Sequence, residues 1–292
     1  DPEYALAYVG MADFYIWGTN VGAIPTADAL PPMHDYAHKA LALDDTLGEA
    51  HATMGLTVWN QRWDFDVAER HFARAIERSP SYPHGHEWYG AVLTAVGRTA
   101  QATVHAKRAE EVDPLSPRTK ALLAWQHYHA GLLDECLVKA DESVALDRSF
   151  PIGHFQRGNV LERLGRYDEA VAALERSAAL MGEHSLADYA LCFALMGAGR
   201  ANDARQQARG LIERSRSSYV KIWFLALAHV AMGDIDTAFQ YFERGFAERD
   251  TWTIWFGTEP KLRCLHGDPR FFALLRKMSP EMADTIAASH QH

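Results

Sequence analysis

Glycine recurs at a fixed interval along this chain of 292 residues. Steps of 34 residues from Gly165 reach Gly131 and Gly97 in one direction and Gly199 and Gly233 in the other. A second series at the same interval holds Ala102, Cys136, Ala170, Ala204 and Ala238, and a third holds Gly90, Ala124, Gly158, Cys192 and Ala226. Three coincident series of small residues mean that the chain is built from copies of one unit. The first series suits a left-handed helix end, and the other two let a pair of helices approach closely. Between these points Leu161, Leu164, Val171 and Leu174 keep the three, four or seven spacing of a helix. Each unit is therefore expected to be a helical hairpin of 34 residues.

The stretch HFQRGNVLERLGRYDEAVAALERSAAL at 154–180 shows the unit. Its order of bulky, Leu, Gly/Ala, Tyr, Ala, Phe, Ala and Pro positions resembles the tetratricopeptide repeat (TPR) family. Gly55, Ala68, Phe72, Ala75 and Pro80 fit that pattern in the second repeat, and Pro114 fits its terminal proline in the third. Arg148, Gly182, Arg216 and Asp250 replace the proline later. The resemblance implies an all-α fold, a right-handed TPR superhelix of about seven hairpins over 1–251. The units run 3–46, 47–81, 82–115, 116–149, 150–183, 184–217 and 218–251. An extended loop near 18–32, containing TNVGAIPTADALPP, is expected to separate the first pair of helices. Residues 252–292 are expected to form a C-terminal helix, opened by Asp268 and Pro269, that caps the last hairpin, followed by a frayed tail ending SHQH.

More specifically, DPEYALAYVGMADFY, LALDDTLGEAHATMG, RAIERSPSYPHGHEWYG and GDPRFFALLRKM resemble a bacterial subgroup. In that subgroup the array follows a winged-helix, nucleotide cyclase or Ser/Thr kinase domain. The resemblance implies a regulatory or sensory module with an attached or separate output domain. The opening DPEY, without Met, fits a start inside a longer polypeptide.

Charge and motifs narrow the function. The formal net charge of −9 opposes direct nucleic-acid contact, and the apolar run WFLALAHVAMG at 223–233 is too short for a membrane span. Three scattered cysteines suggest neither a disulfide framework nor a zinc cluster, so a cytoplasmic setting is expected. No P-loop, GxSxG, GxGxxG or HExxH motif is present, and no cofactor or catalytic residue is assigned. His51, His86 and His154 take the fourth place of their repeats and His127 and His229 the eleventh, where bulky residues pack, so no metal site is assigned. His84 and His129, on the opposite face, fall too far apart to share a metal. Cys136 and Cys192 stand in packing columns and read as inert thiols, and Cys264 is left unassigned.

The remaining surface is the concave face formed by the first helix of each hairpin. At 100° per residue it carries Trp59, Asn60, His84 and Glu87, then Arg118, Trp125, Tyr128 and His129. It continues through Phe155, Asn159, Glu162, Arg163, Tyr189 and Phe193 to Trp223. The candidate partner-binding groove is Arg118, Trp125, Tyr128, Phe155, Asn159, Arg163, Tyr189, Phe193 and Trp223, its partner a protein or peptide segment. The competing reading packs these aromatics inside the array. A chaperone-type carboxylate clamp is not expected, because Ala121 and Phe155 stand where it needs polar or basic residues.

Overall fold

The computed structural model describes residues 1–182 and 186–289. Every regular element among the described residues is helical. Fourteen α-helices pair in chain order as seven antiparallel hairpins. The first hairpin is α1 (Ala5–Asn20) with α2 (Thr26–Leu43), followed by α3 (Gly48–Arg62) with α4 (Phe65–Arg78) and α5 (Pro83–Ala95) with α6 (Thr99–Val112). Next come α7 (Pro117–Ala130) with α8 (Leu133–Leu146) and α9 (Pro151–Arg163) with α10 (Tyr167–Met181). The last two are α11 (Ala187–Gly197) with α12 (Ala201–Arg214) and α13 (Ile222–Ala231) with α14 (Ile235–Ala247). Beyond them lie 3-10 turns at Thr251–Trp255 and Pro260–Leu265, then α15 (Pro269–Met278) and α16 (Pro280–Ser289).

Local chemistry sets the hairpin boundaries. Pro83, Pro117 and Pro151 open α5, α7 and α9 at positions where a missing N–H costs nothing. The turn glycine is left-handed, with φ +74° at Gly165, because an L side chain there would crowd its own carbonyl. Within a hairpin the two small-residue columns face each other. A Cβ on Gly158 would come 2.4 Å from Leu174 and 3.2 Å from the Ala170 carbonyl. Ala102, Cys136, Ala170, Ala204 and Ala238 are buried in the matching column.

One expectation is corrected. The linker of the first hairpin is only residues 21–25, and Pro31 and Pro32 lie inside α2. Those prolines remove two ladder donors, but Thr26, Ala29, Met33, Ala37 and Ala40 bury one helical stripe that carries α2 through them. Residues 1–20, 24–113 and 248–289 form one compact unit, and 21–23 with the described part of 114–247 form the other. The fifth-to-sixth repeat boundary at 183–184 and the end of the SHQH tail lie outside the described residues.

Candidate functional site

In the first unit, a polypeptide segment already lies against the first helices. The 3-10 turn at Thr251–Trp255 touches α1 and α3. Asp250 caps that turn by accepting from the Trp252 N–H at 2.9 Å. The buried Trp252 indole donates from Nε1 to the Asn20 carbonyl at the end of α1, 3.0 Å away. Arg249 lays its guanidinium 3.6 Å from the ring centre of Trp63, at the end of α3. Burial depresses the pKa of Arg249, and its Nη1 has no hydrogen-bond partner among the described residues.

Trp63 is a seat that sequence reasoning missed. It stands 34 residues before Gly97, so it occupies the turn-glycine column, and it adopts the same left-handed conformation at φ 55°. Arg249, which covers it, is the other non-glycine residue with positive φ among the described residues, at 56°. Two such residues in contact mark a place where tertiary interactions override backbone preference. Extending the glycine series one step below Gly97 would have found it.

A cavity of about 800 Å³ lies beside this contact. Its apolar wall is Trp59, Trp63 and Phe65 from the array with Met278 and Met282 from α15 and α16, and Arg98 lies at the same wall. Arg98 stacks 5.0 Å from the Phe65 ring centre and pairs with Glu69 at 2.9 Å. Trp59 is 1% exposed, and its indole N–H has no acceptor among the described residues. Such a wall suits an apolar side chain accompanied by a hydrogen-bond acceptor.

The second unit holds all nine residues of the sequence-derived groove. Trp125, Tyr128, Phe155, Asn159, Tyr189 and Trp223 are buried, whereas Arg118, Arg163 and Phe193 are half-buried. The aromatics form a ladder. Trp125 stacks on Tyr128 at 5.8 Å and meets Phe155 at 6.1 Å, Phe155 meets Tyr189 at 6.1 Å, and Tyr189 stacks on Phe224 at 5.2 Å. Trp223 turns aside to Phe242, 5.5 Å away. Arg163 donates to the Tyr128 carbonyl at 3.0 Å and lies over the ring of that tyrosine. The burial corresponds to the packing reading of these aromatics.

Burial pushes the Cys136 and Cys192 thiols up to about 12, the wrong direction for a nucleophile. No described helix is long and apolar enough to cross a membrane.

Residues 151–184 match the tetratricopeptide repeat family. U-box domain-containing protein 70 of Oryza sativa subsp. japonica is 28% identical over 137 residues, 47% of this chain and 15% of that protein. The chain thus spans a small part of that relative's length. A thermophilic TPR protein of Thermus thermophilus superimposes with a TM-score of 0.53 at 21% identity, covering 66% of this chain and 99% of the other. The Cut9–Hcn1 hetero-tetramer of the APC/C gives 0.59 at 12% identity, over 93% and 52%. PilW, a type IV pilus biogenesis factor, gives 0.54 at 18% identity, over 75% and 97%. The chain carries a tetratricopeptide repeat at 151–184 within an all-α array whose fold is that of TPR structures.

Proposed function

We propose that the chain is a noncatalytic protein-interaction module that takes a polypeptide segment on the faces of its first helices. One observation carries this reading: in the first unit the Thr251–Trp255 turn of the chain itself lies against α1 and α3. Trp252, Arg249, Met278 and Met282 show the chemistry such a segment presents, namely an indole donor, a cation for an aromatic face, and flexible apolar side chains. In the second unit the same reading assigns partner contact to Arg118, Arg163 and Phe193 at the rim. Trp125, Tyr128, Phe155, Asn159, Tyr189 and Trp223 are then the packed floor beneath them.

The test uses a fluorescent peptide of residues 248–289 added in trans to the full chain. The parent, whose face is filled, is expected to bind it weakly. An Arg249→Ala/Trp252→Ala variant, whose own segment is loosened, is expected to bind at least about tenfold more tightly, as one lost anchor of ordinary strength would give. Adding Trp63→Ala to that variant is expected to remove the gain. Equal binding by all three proteins would overturn the reading.

A further inference from the structure

The second and third hairpins share a device that neither the fold nor the proposed function requires. In the second hairpin His51 of α3 and His71 of α4 bring their Nδ1 atoms to 3.1 Å, and the rings lie 5.4 Å apart. In the third, His86 of α5 and His105 of α6 repeat both values. The first-helix histidine is tied in the same way each time, with Nε2–H donating six residues back, to the Asp45 carbonyl at 3.0 Å and to the Pro80 carbonyl at 3.3 Å. A carbonyl only accepts, so Nε2 of His51 and His86 carries the proton and Nδ1 presents a lone pair. His71 and His105 must then donate from Nδ1. One extra proton, on Nε2 of the second-helix member, leaves the hydrogen bond in place but sets a desolvated charge inside the hairpin. A second proton on Nδ1 of His51 or His86 would set two N–H groups against each other and break it.

The fourth hairpin shows what the same positions look like when built to carry charge. Lys120 and Lys139 occupy the places of His86 and His105, one repeat on, and Glu142 bridges them at 3.0 Å to each. The Glu142 place holds Arg108 in the third hairpin and Arg74 in the second. The compensating anion is thus replaced by a cation in both histidine hairpins. Around the first pair, Arg70, Arg74 and Arg78 of α4 oppose protonation and the Asp45 carboxylate favours it. Around the second, Arg108 opposes it. Tyr89 of α5 lies 4.4 Å from the His105 ring, and its hydroxyl is committed to Glu69 of α4, which also holds Arg98.

We propose that these two histidine pairs are an acid-sensitive latch that holds the second and third hairpins closed at neutral pH and opens them on acidification. Burial and the neighbouring charges bring His71 and His105 down to about 4 from 6.5 and lower His51 and His86 as well. The unfolded chain therefore binds these protons first. Their contribution is complete above about pH 6.5 and is lost progressively as pH falls towards about 4.

Hydrogen exchange followed by mass spectrometry, corrected for the intrinsic pH dependence of exchange, tests the latch with its control in the same chain. Between about pH 7.5 and 4.5, opening of 48–112 is expected to rise on the order of tenfold or more. Opening of 117–146, where Glu142 neutralises the lysines, is expected to rise much less. His71→Gln/His105→Gln removes the two second-helix titrating groups, leaving His51 and His86, and is expected to reduce the rise. Arg74→Glu/Arg108→Glu restores the anion of the fourth hairpin and is expected to reduce the rise, and it carries the test if the glutamine variant lacks helical signal at neutral pH. An equal rise in both segments of the parent would overturn the proposal. So would an unchanged rise in whichever variant folds.

Discussion

Phe155 is the side chain on which the two readings of the groove make opposite forecasts. It is 1% exposed and stands between Trp125 and Tyr189, with a ring on either side at 6.1 Å. A binding hot spot cut to alanine weakens association and spares the fold, whereas a packed ring leaves a cavity. Its burial predicts the second result. Phe155→Ala is expected to lower stability by about 3–5 kcal/mol in urea melts, and Phe193→Ala, at a half-buried position, by less. A melt of the Phe155 variant that matches the parent would return the ladder to the role of a binding strip. Sequence periodicity could say that these residues share a face, because helical spacing fixes direction. It could not say whether that face meets solvent, because burial depends on residues remote in sequence.

The hairpins were legible because most are specified locally, by a turn glycine and a pair of small columns, with a proline opening at α5, α7 and α9. What misled the reading of α2 was also local. Pro31 and Pro32 look like a loop to any rule that weighs backbone donors, yet the stripe from Thr26 to Ala40 is buried over several turns and outweighs them. Pro31 itself is exposed, so it adds little packing to offset the ladder bond it removes. Pro31→Ala is therefore expected to stabilise the chain by about 1–2 kcal/mol, a restored helix bond less the entropy regained by the unfolded chain. A thermal melt reads this directly, and a lowered midpoint would mean that the ring at 31 packs in a way its exposure does not reveal. The histidine pairs were half legible. The sequence placed His51 and His86 at equivalent first-helix positions, but their partners His71 and His105 come from the second helix, and only the hairpin geometry joins them.

Placement of the C-terminal segment was illegible for a different reason: a helix that follows the last repeat has a default site on it, and nothing local argues otherwise. The bond from Trp252 to Asn20 joins residues 232 positions apart, a pairing no periodic rule can supply. It makes the first unit discontinuous in sequence, with α1 and the Thr251–Trp255 turn supporting each other. Closing so long a loop costs only slowly growing entropy, so a few well-buried anchors suffice to hold it. If Trp252 is such an anchor, its removal must be felt at the opposite end of the chain. Trp252→Ala is expected to lower amide protection in α1 and α3, while the α9–α10 hairpin keeps its own. The loss should amount to about 3–5 kcal/mol of local stability, the range for a buried tryptophan truncated to alanine. Hydrogen exchange on the full chain measures it. Unchanged protection in α1 would mean that the segment rests on the first unit without contributing to its cooperative core, and the self-held polypeptide would no longer be evidence for a binding face.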